Sequence, residues 1–435
     1  MGPEIDWGGR SMKKVAIVGG GFTGLSSAVY LADKGVVPIV FETSNSCGGL
    51  SKGFGPSASS GKVSWKWRLE NFYHHIFTND REIIELATKV GCALDINSPL
   101  TTSFFRSKEI ELDSPFSLLK FSGISFYSRL RMGIGLMILK LIPNGLFLEK
   151  YKAVKVLPKL LGGEGYRTIW EKLLKAKFGP FVDEVNLAWF WSRVAKRTRK
   201  LGYFEGGFTE LINKTEEYTK KHGGEIRTGV EVKKIEMDDD ERGVEVNGER
   251  FDAVIVTVPA PVANKIIKGV KIPNINYLMG QTLILEVSNK LIKGYWMNVL
   301  EKDFPFLVVV EHTNMIDKKM YGGNRLIYLG NYLPEGHKQL KMTKEQLINL
   351  YSPFLKRINK RFRKKHIKES FLFREPYSQP VFPTNYSKML PNPRMSHGIY
   401  LANMSMVYPF DRGTNYAVKM GTHVAKMVIN DLKKQ

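Results

Sequence analysis

Cysteine is scarce in this 435-residue sequence. Only Cys47 and Cys92 occur, with no C-x-x-C pair, which excludes a disulfide framework and a cysteine-built zinc site, so no metal is expected. Acidic residues are also short: 42 Asp and Glu stand against 65 Lys and Arg, a formal net charge of +23. That imbalance points to an anionic partner, whether nucleic acid, an anionic membrane surface or a phosphorylated substrate. Nucleic acid is the least favoured, because no nucleic-acid motif occurs and aromatic residues are not interleaved with the basic runs. Long apolar runs are missing too. The most apolar segment, Met132 to Leu148, is broken by Lys140, Pro143 and Asn144 before it reaches the roughly 20 residues a membrane-crossing helix needs. Lying on a bilayer or lining an apolar tunnel stays open to it. Met1 to Lys14 is Gly-rich and polar, so no secretory signal is expected and Met12 reads as the natural start. A reducing, cytoplasmic setting fits, with a peripheral place at the inner face of the membrane as its variant.

What is present is the texture of a globular protein, 43% hydrophobic and 25% charged, and its length favours two or three domains. From Val15 the order is apolar run, glycines, helix, apolar run, which is how a βαβ unit begins. A helix is expected from an N-cap at Asp80 through Lys89, with Gly91 as the stop. Residues 115–200 have helical spacing and include Trp170, Trp189 and Trp191, expected in the core. Between Glu149 and Lys200 there are 13 Lys or Arg against 5 Asp or Glu, so a basic cap is expected here. Short strands follow at Glu225–Thr228, Val230–Glu236, Gly243–Val246 and Ala253–Val258, and then alternating runs such as Thr282–Val287 and Leu326–Gly330 that predict an antiparallel sheet. Residues 344–373 read as one helix with a solvated basic face. A strand at Ile399–Ala402 and a helix from about Gly413 to Leu432 close the chain.

The most specific motif is G-x-G-x-x-G, formed by Gly19, Gly21 and Gly24 with Phe22 and Thr23 between them. It follows a strand and opens a helix. The first glycine allows a tight turn, the second lets backbone approach a pyrophosphate, and the third lets the helix pack closely. Glu42 ends the next strand, 18 residues after Gly24, where a carboxylate accepts from ribose hydroxyls and repels a 2′-phosphate. A dinucleotide other than NADP is therefore expected.

With Cys47-Gly48-Gly49-Leu50 after Glu42, the chain resembles the FAD-dependent amine oxidase, protoporphyrinogen oxidase and phytoene desaturase superfamily. Leu50 stands where the usual form has arginine. Gly206-Gly207-Phe208, Gly229-Val-Glu-Val232 and Thr257-Val-Pro259 extend the likeness, as does Gly398 to Asn403 followed by Asp411 to Gly421, with Asn403-Met404-Ser405 in place of Gly-x-Glu. Glu70 to Asp80 is similar to the histidine-bearing stretch of UDP-galactopyranose mutases, which runs beside the flavin. The resemblance implies FAD as cofactor. It implies that Gly48, Gly49 and Leu50 sit near the pyrophosphate, Val232 at the adenine end, and Tyr73, Asn403, Met404, Gly413, Thr414 and Asn415 around the flavin, with the last helix aiming its N–H groups at the ring. His74, His75, Asp411 and Arg412 are the candidate catalytic residues, as proton-transfer or charge-stabilising groups.

The implied fold is α/β: a Rossmann-like FAD-binding domain in three parts (13–110, 201–270 and 391–435), a helical, basic, possible membrane-associating cap (111–200) and a mixed-sheet substrate domain (271–390). The implied activity is hydride transfer to or from carbon of a hydrophobic or lipid-linked substrate. The other reading is a non-redox mutase acting on a nucleotide sugar, with Arg193, Arg197, Arg374 and Arg412 as candidates for clamping its diphosphate. Amines fit poorly, because no aromatic cage pattern occurs.

Overall fold

The computed structural model describes residues 12–55, 65–238 and 243–434. The segment before Met12 and residues 239–242 lie outside the described residues. Strands Lys14–Val18, Val37–Glu42, Glu225–Thr228, Ala253–Val256 and Ile399–Leu401 form the parallel part of a six-stranded sheet, and Arg394–Ser396 adds an antiparallel edge. The first strand is apolar from Val15 to Val18 because both its faces are covered. Val15 and Ile17 point at helices Phe22–Ala32 and Thr414–Leu432, while Ala16 and Val18 point at helix Ala260–Ile266 and a small three-stranded sheet. The two helices cross where Gly421 meets Thr23, Ser26 and Ser27, and a Cβ on Gly421 would overlap the Thr23 carbonyl oxygen. Ser26 and Ser27 hydroxyls donate across the crossing to the Val418 and Gly421 carbonyls.

A second sheet of seven strands, in the order Ile367–Pro380, Tyr277–Val287, Arg325–Leu333, Val308–Glu311, Trp296–Val299, Thr101–Phe105 and Lys108–Glu111, makes the other half. It is mixed, because Thr101–Phe105 runs parallel to Trp296–Val299. Residues 101–110, read from sequence as the end of the first nucleotide-binding segment, therefore pair into this sheet. Strand Arg325–Leu333 alternates: Ile327 and Leu329 face helix Lys344–Ile358, and Leu326 and Tyr328 face the cluster shared with the nucleotide half.

The expected helix over 344–373 is corrected. It runs only Lys344–Ile358, started by a capping box between Thr343 and Gln346, and Ile367–Pro380 is an edge strand. The basic run 360–368 hid the switch of apolar period from helix to strand, which returns only at Phe371 and Phe373, both packed on Phe54. Of the expected strand Val230–Glu236, only Ile235 onward pairs, as Ile235–Met237. The helix after Asp80 forms as expected, Arg81–Lys89.

The cap is built from helices Pro115–Lys120, Phe126–Leu141, Ala153–Leu161, Glu171–Phe178 and Leu187–Lys196 with short turns between them. Trp189 and Trp191 are buried in its core and Trp170 packs at its edge. Among the described residues no helix is long and apolar enough to cross a membrane.

Candidate functional site

The parallel strands place Gly19, Glu42, Thr257 and Asn403 at their carboxyl ends, the edge at which open α/β sheets bind ligands. Gly19 has φ +110°, a conformation side chains rarely adopt, and a Cβ there would overlap the Thr257 hydroxyl. That hydroxyl donates to the Val18 carbonyl at 2.9 Å and straps the loop to the neighbouring strand. Gly24 lies so close to the Gly19 carbonyl oxygen that no Cβ fits, whereas a Cβ on Gly21 would meet nothing within 4 Å. The sequence reading is thus resolved into two steric roles: one glycine for packing and one for an open backbone surface.

The second glycine motif closes on the first. Gly48 N–H donates to the Gly20 carbonyl at 2.8 Å, and a Cβ on Gly49 would stand 3.5 Å from the Gly21 Cα. Leu50, half-buried, lies in the middle of the 3-10 turn Gly49–Ser51. Two separate loops therefore present side-chain-free backbone at the N-terminus of helix Phe22–Ala32, which includes Phe22 and Thr23. Glu42 accepts from Gly20 N–H and Ser44 N–H, both at 2.8 Å, so its carboxylate is fixed at the rim of this cradle. The chain comes back at Gly229 and Val230, which donate to the Ser44 and Glu42 carbonyls, and places Val232 beside the same rim, buried against the sheet. Such a cradle fits a dinucleotide pyrophosphate, with N–H donors and the positive helix end for the anion and a carboxylate for the ribose.

The turn after Gly49 leads to the histidines. Ser51 Oγ lies 3.2 Å from His74 Nε2, and His74 Nδ1 lies 2.7 Å from the Phe72 carbonyl. A carbonyl only accepts, so Nδ1 carries the proton and Nε2 accepts from Ser51. His75 points the other way, its Nδ1 3.2 Å from the Tyr295 hydroxyl and its ring edge-on to Trp296. Burial lowers His74 to about 4, with the Arg412 charge adding to the effect, and lowers His75 to about 3, helped by Arg197, His74 and Arg193. Both imidazoles are neutral at pH 7. Tyr73 stands edge-on to Trp296 with ring centroids 5.0 Å apart and fits only because Gly330 has no side chain. Its hydroxyl lies 3.3 Å from that of Tyr332.

Asp411 and Arg412 sit in front of helix Thr414–Leu432. Asp411 gathers the cap: it accepts from Trp189 Nε1 at 2.9 Å, pairs with Arg193, and lies 3.5 Å from Lys177 Nζ. Burial alone would raise its carboxyl, but Lys177 and Arg193 outweigh that and hold it well below the usual range. Lys177 is lowered to about 7, by burial first and then by Arg193 and Arg412, with Asp411 opposing. Arg412 donates to Gln379 and to the Tyr332 hydroxyl. Lys177 Nζ and Arg412 Cζ each lie 4.8 Å from the centroid of the Tyr332 ring, within cation–π range.

The structure thus brings Tyr73, Asp411 and Arg412 into one cluster, with His74 and His75 beside it on the same loop. Gly413 caps the last helix in extended backbone, and Thr414 opens it without a side-chain cap, leaving its first N–H groups next to Arg412. Asn415 is placed differently from its expected role. Its amide accepts from Ile83 N–H and donates to Glu82, so the side chain fastens helix Arg81–Lys89. Asn403 spends its amide on Ser405 and the Val258 carbonyl, capping the turn that begins at Met404. Arg374 donates to Gln281 and to the Gln339 and Met342 carbonyls, and so serves the sheet. Lys177, Tyr332 and Gln379 were not found by sequence reasoning. Lys177 is one cation among many in the cap, and only the sheet topology brings the other two beside Asp411.

Comparison with known proteins fits this geometry. No curated relative matches the chain by sequence. Among solved structures, a protein assigned as a protoporphyrinogen oxidase from Exiguobacterium sp. 255-15 matches at 16% identity and TM-score 0.76, covering 98% of this chain and 100% of the other. Reduced UDP-galactopyranose mutase matches at 16% identity and TM-score 0.74, with 96% of each chain covered. Cyclohexylamine oxidase from Brevibacterium oxydans IH-35A matches at 14% identity and TM-score 0.72, covering 97% and 100%. At such identities these likenesses show a shared fold. The sequence model of the flavin containing amine oxidoreductases matches residues 22–429, nearly the whole chain from the helix after the first glycine loop through the Asp411 cluster, so the chain belongs to this family and is an FAD-dependent oxidoreductase.

Proposed function

We propose that the enzyme moves a hydride between FAD and a carbon atom of an apolar or lipid-linked substrate that carries an acidic group and no cationic amine. The observation behind this reading is the set of three cations, Lys177, Arg193 and Arg412, around a single carboxylate, Asp411. Below pH 7 the excess positive charge repels an ammonium and attracts a carboxylate or phosphate, and it does so strongly because the groups are half-buried. The surrounding rings of Tyr73, Trp296 and Tyr332 suit an apolar body.

FAD, when bound, supplies the redox chemistry. Backbone at Gly19, Gly21, Gly24, Gly48 and Gly49 would hold its pyrophosphate and Glu42 its ribose. The N–H groups at Gly413 and Thr414 favour negative charge near the end of the last helix. His74 and His75, neutral at pH 7, are able to accept a proton but provide no standing positive charge. Arg412, fixed by Gln379 and Tyr332, orients an acidic group through charge-assisted hydrogen bonds.

Anaerobic mixing of the yellow holoenzyme with candidate reductants tests the reading. Apolar carboxylates or phosphates with an oxidisable carbon should bleach the flavin band, and primary amines should not. Rapid bleaching by amines alone would overturn it. The mutase reading draws support from the same cations, which would suit a nucleotide-sugar diphosphate. Photoreduced enzyme that isomerises UDP-galactopyranose without net flavin turnover would put that reading in place of the first.

A further inference from the structure

Helix Phe126–Leu141 is apolar on two opposite faces. Met132, Gly135 and Leu139 are buried in the cap, with Gly135 set against the Leu160 carbonyl and the Leu161 side chain. On the other side Tyr127, Leu130, Ile134, Met137, Ile138 and Leu141 are all exposed, Ile134 and Met137 at 60% and Leu141 at 74%. Their spacing of three and four makes one continuous stripe, about 21 Å long at the helical rise. Phe116, Leu119, Phe147 and Tyr151 from flanking segments are exposed as well. Large exposed apolar residues elsewhere among the described residues are only Met12 and Ile96. Scattered exposed apolar residues need no explanation, but a contiguous stripe marks a surface that is covered in use.

The charge around the stripe identifies the cover. From Phe116 to Glu164 the chain carries eight Lys or Arg and two acids, Glu149 and the exposed Glu164, which accepts from the Ser125 and Ser128 hydroxyls at the start of the helix. Glu149 is buried and takes hydrogen bonds from the Ser387 backbone and hydroxyl, so it does not offset the surface charge. Lys120, Arg131, Lys140, Lys150, Lys152, Lys155 and Lys159 are all exposed. Lys120 lies over the Phe116 ring at 4.2 Å and Lys150 over the Tyr151 ring at 5.1 Å, pairing aromatic bodies with charged tips at the rim of the stripe. An apolar stripe edged by aromatics and cations is the composition of a helix lying in a lipid interface, its charges at the headgroups. A second copy of this chain would bring the same cations against one another, which costs free energy. The helix has 16 residues and does not meet the requirement for a span.

We propose that the exposed face of helix Phe126–Leu141, with Phe116, Phe147 and Tyr151 beside it, docks this protein onto an anionic phospholipid bilayer without crossing it. The same cap supplies Lys177, Trp189 and Arg193 to the Asp411 cluster, so the docked face and the redox site share one set of helices. The proposal does not depend on which substrate that site takes.

The test floats the full-length holoprotein with two kinds of vesicle: phosphatidylcholine alone, and equal parts phosphatidylcholine and phosphatidylglycerol, at low and high salt. Strong binding to the anionic vesicles, weakened by salt, is expected. The double substitution Ile134→Glu with Met137→Glu should lower that binding by about tenfold or more, with flavin content and melting temperature unchanged because both residues point away from the core. Lys150→Glu with Lys152→Glu should shift the preference toward neutral vesicles. A wild-type protein that stays off anionic vesicles at low salt overturns the proposal. So does equal binding by the Ile134/Met137 variant, or light scattering that shows a dimer which the same variant converts to monomer.

Discussion

Around Gly19, Gly21 and Gly48 the protein offers bare backbone, and around Asp411 it offers long charged side chains. The first region suits a ligand part that never changes, such as a pyrophosphate, with N–H groups that carry no rotamer freedom. The second is assembled from five segments far apart in sequence, Lys177, Trp189 with Arg193, Tyr332, Gln379 and Asp411 with Arg412, all of which must be positioned before their charges add up. Backbone recognition is tied to the sheet edge and transfers with the fold, whereas the side-chain cluster carries whatever is particular to this enzyme.

The sharpest way to separate the two kinds of work done by backbone is to substitute two glycines of one motif. Gly24→Val would push a side chain into the Gly19 carbonyl oxygen, and overpacking of this kind costs about 1–3 kcal/mol or more. The helix cannot then seat on the sheet, and protein that is both colourless and unstable is expected. Gly21→Asp has room, since nothing lies within 4 Å of its Cβ, but it sets a carboxylate where the pyrophosphate belongs. The apoprotein should melt at the same temperature as wild-type apoprotein, while flavin absorbance per chain disappears. If Gly21→Asp keeps its flavin, the cradle has been misassigned.

In the charged region the largest effect should come from Asp411→Asn. Removing one partner from a buried ion cluster leaves the rest uncompensated, at a cost of about 3–5 kcal/mol. Lys177 and Arg193 would then stand together without their carboxylate. Denaturant unfolding of the apoprotein should show that loss. A loss no larger than that from an exposed ion pair such as Lys175 with Glu171 would mean the cluster is open to water.

The two regions also differ in how far they could be read from sequence. The glycine cradle was legible because its residues lie within one short span and each is required by local sterics. Even the second motif, Gly48-Gly49, is near enough in the chain to be recognised. Asp411 and Arg412 were legible only through the family pattern, and Lys177, Tyr332 and Gln379 were hidden, since strand pairing and the cap's docking are long-range events that leave no local mark. The same holds for the basic run 360–368, where charge on consecutive residues masked the end of a helix and the start of a strand. Helix Phe126–Leu141 is an intermediate case: its apolar character was visible, but which of its two faces is covered depends on Gly135 meeting Leu160 and Leu161.

Proton uptake gives a smaller effect that still tells the regions apart. Lys177 loses its proton as pH rises through about 7, while Asp411, raised by burial but held well below the usual carboxylate range by Lys177 and Arg193, and Arg412, lowered by burial only to about 10, keep their charges there. The KM for an acidic substrate should therefore rise above pH 7 by up to about tenfold per pH unit, and Lys177→Arg should flatten the rise. Because the lysine binds its proton less tightly in the folded state than in the unfolded state, its contribution to folding stability grows as pH rises from about 7 toward its ordinary value. His74 and His75 have the same sign of shift: they take protons only near pH 4 and 3. Stability should thus fall as pH drops below about 6.5, and no limb at 6.5 should appear in the kcat profile. A limb there that vanishes in His74→Asn would show that an imidazole titrates in the open.

The smallest expected change isolates one hydroxyl. Tyr332→Phe keeps the ring between Lys177 and Arg412 and removes only the oxygen that meets Arg412 and the Tyr73 hydroxyl. A hydrogen bond of this sort is worth about 1 kcal/mol, so kcat/KM should fall roughly fivefold with flavin content unchanged. Tyr332→Leu also takes away the π face that two cations share, and its loss should be clearly larger. If the two variants behave alike, Tyr332 matters only for orienting Arg412, and the aromatic face adds nothing to how the cluster holds its charge.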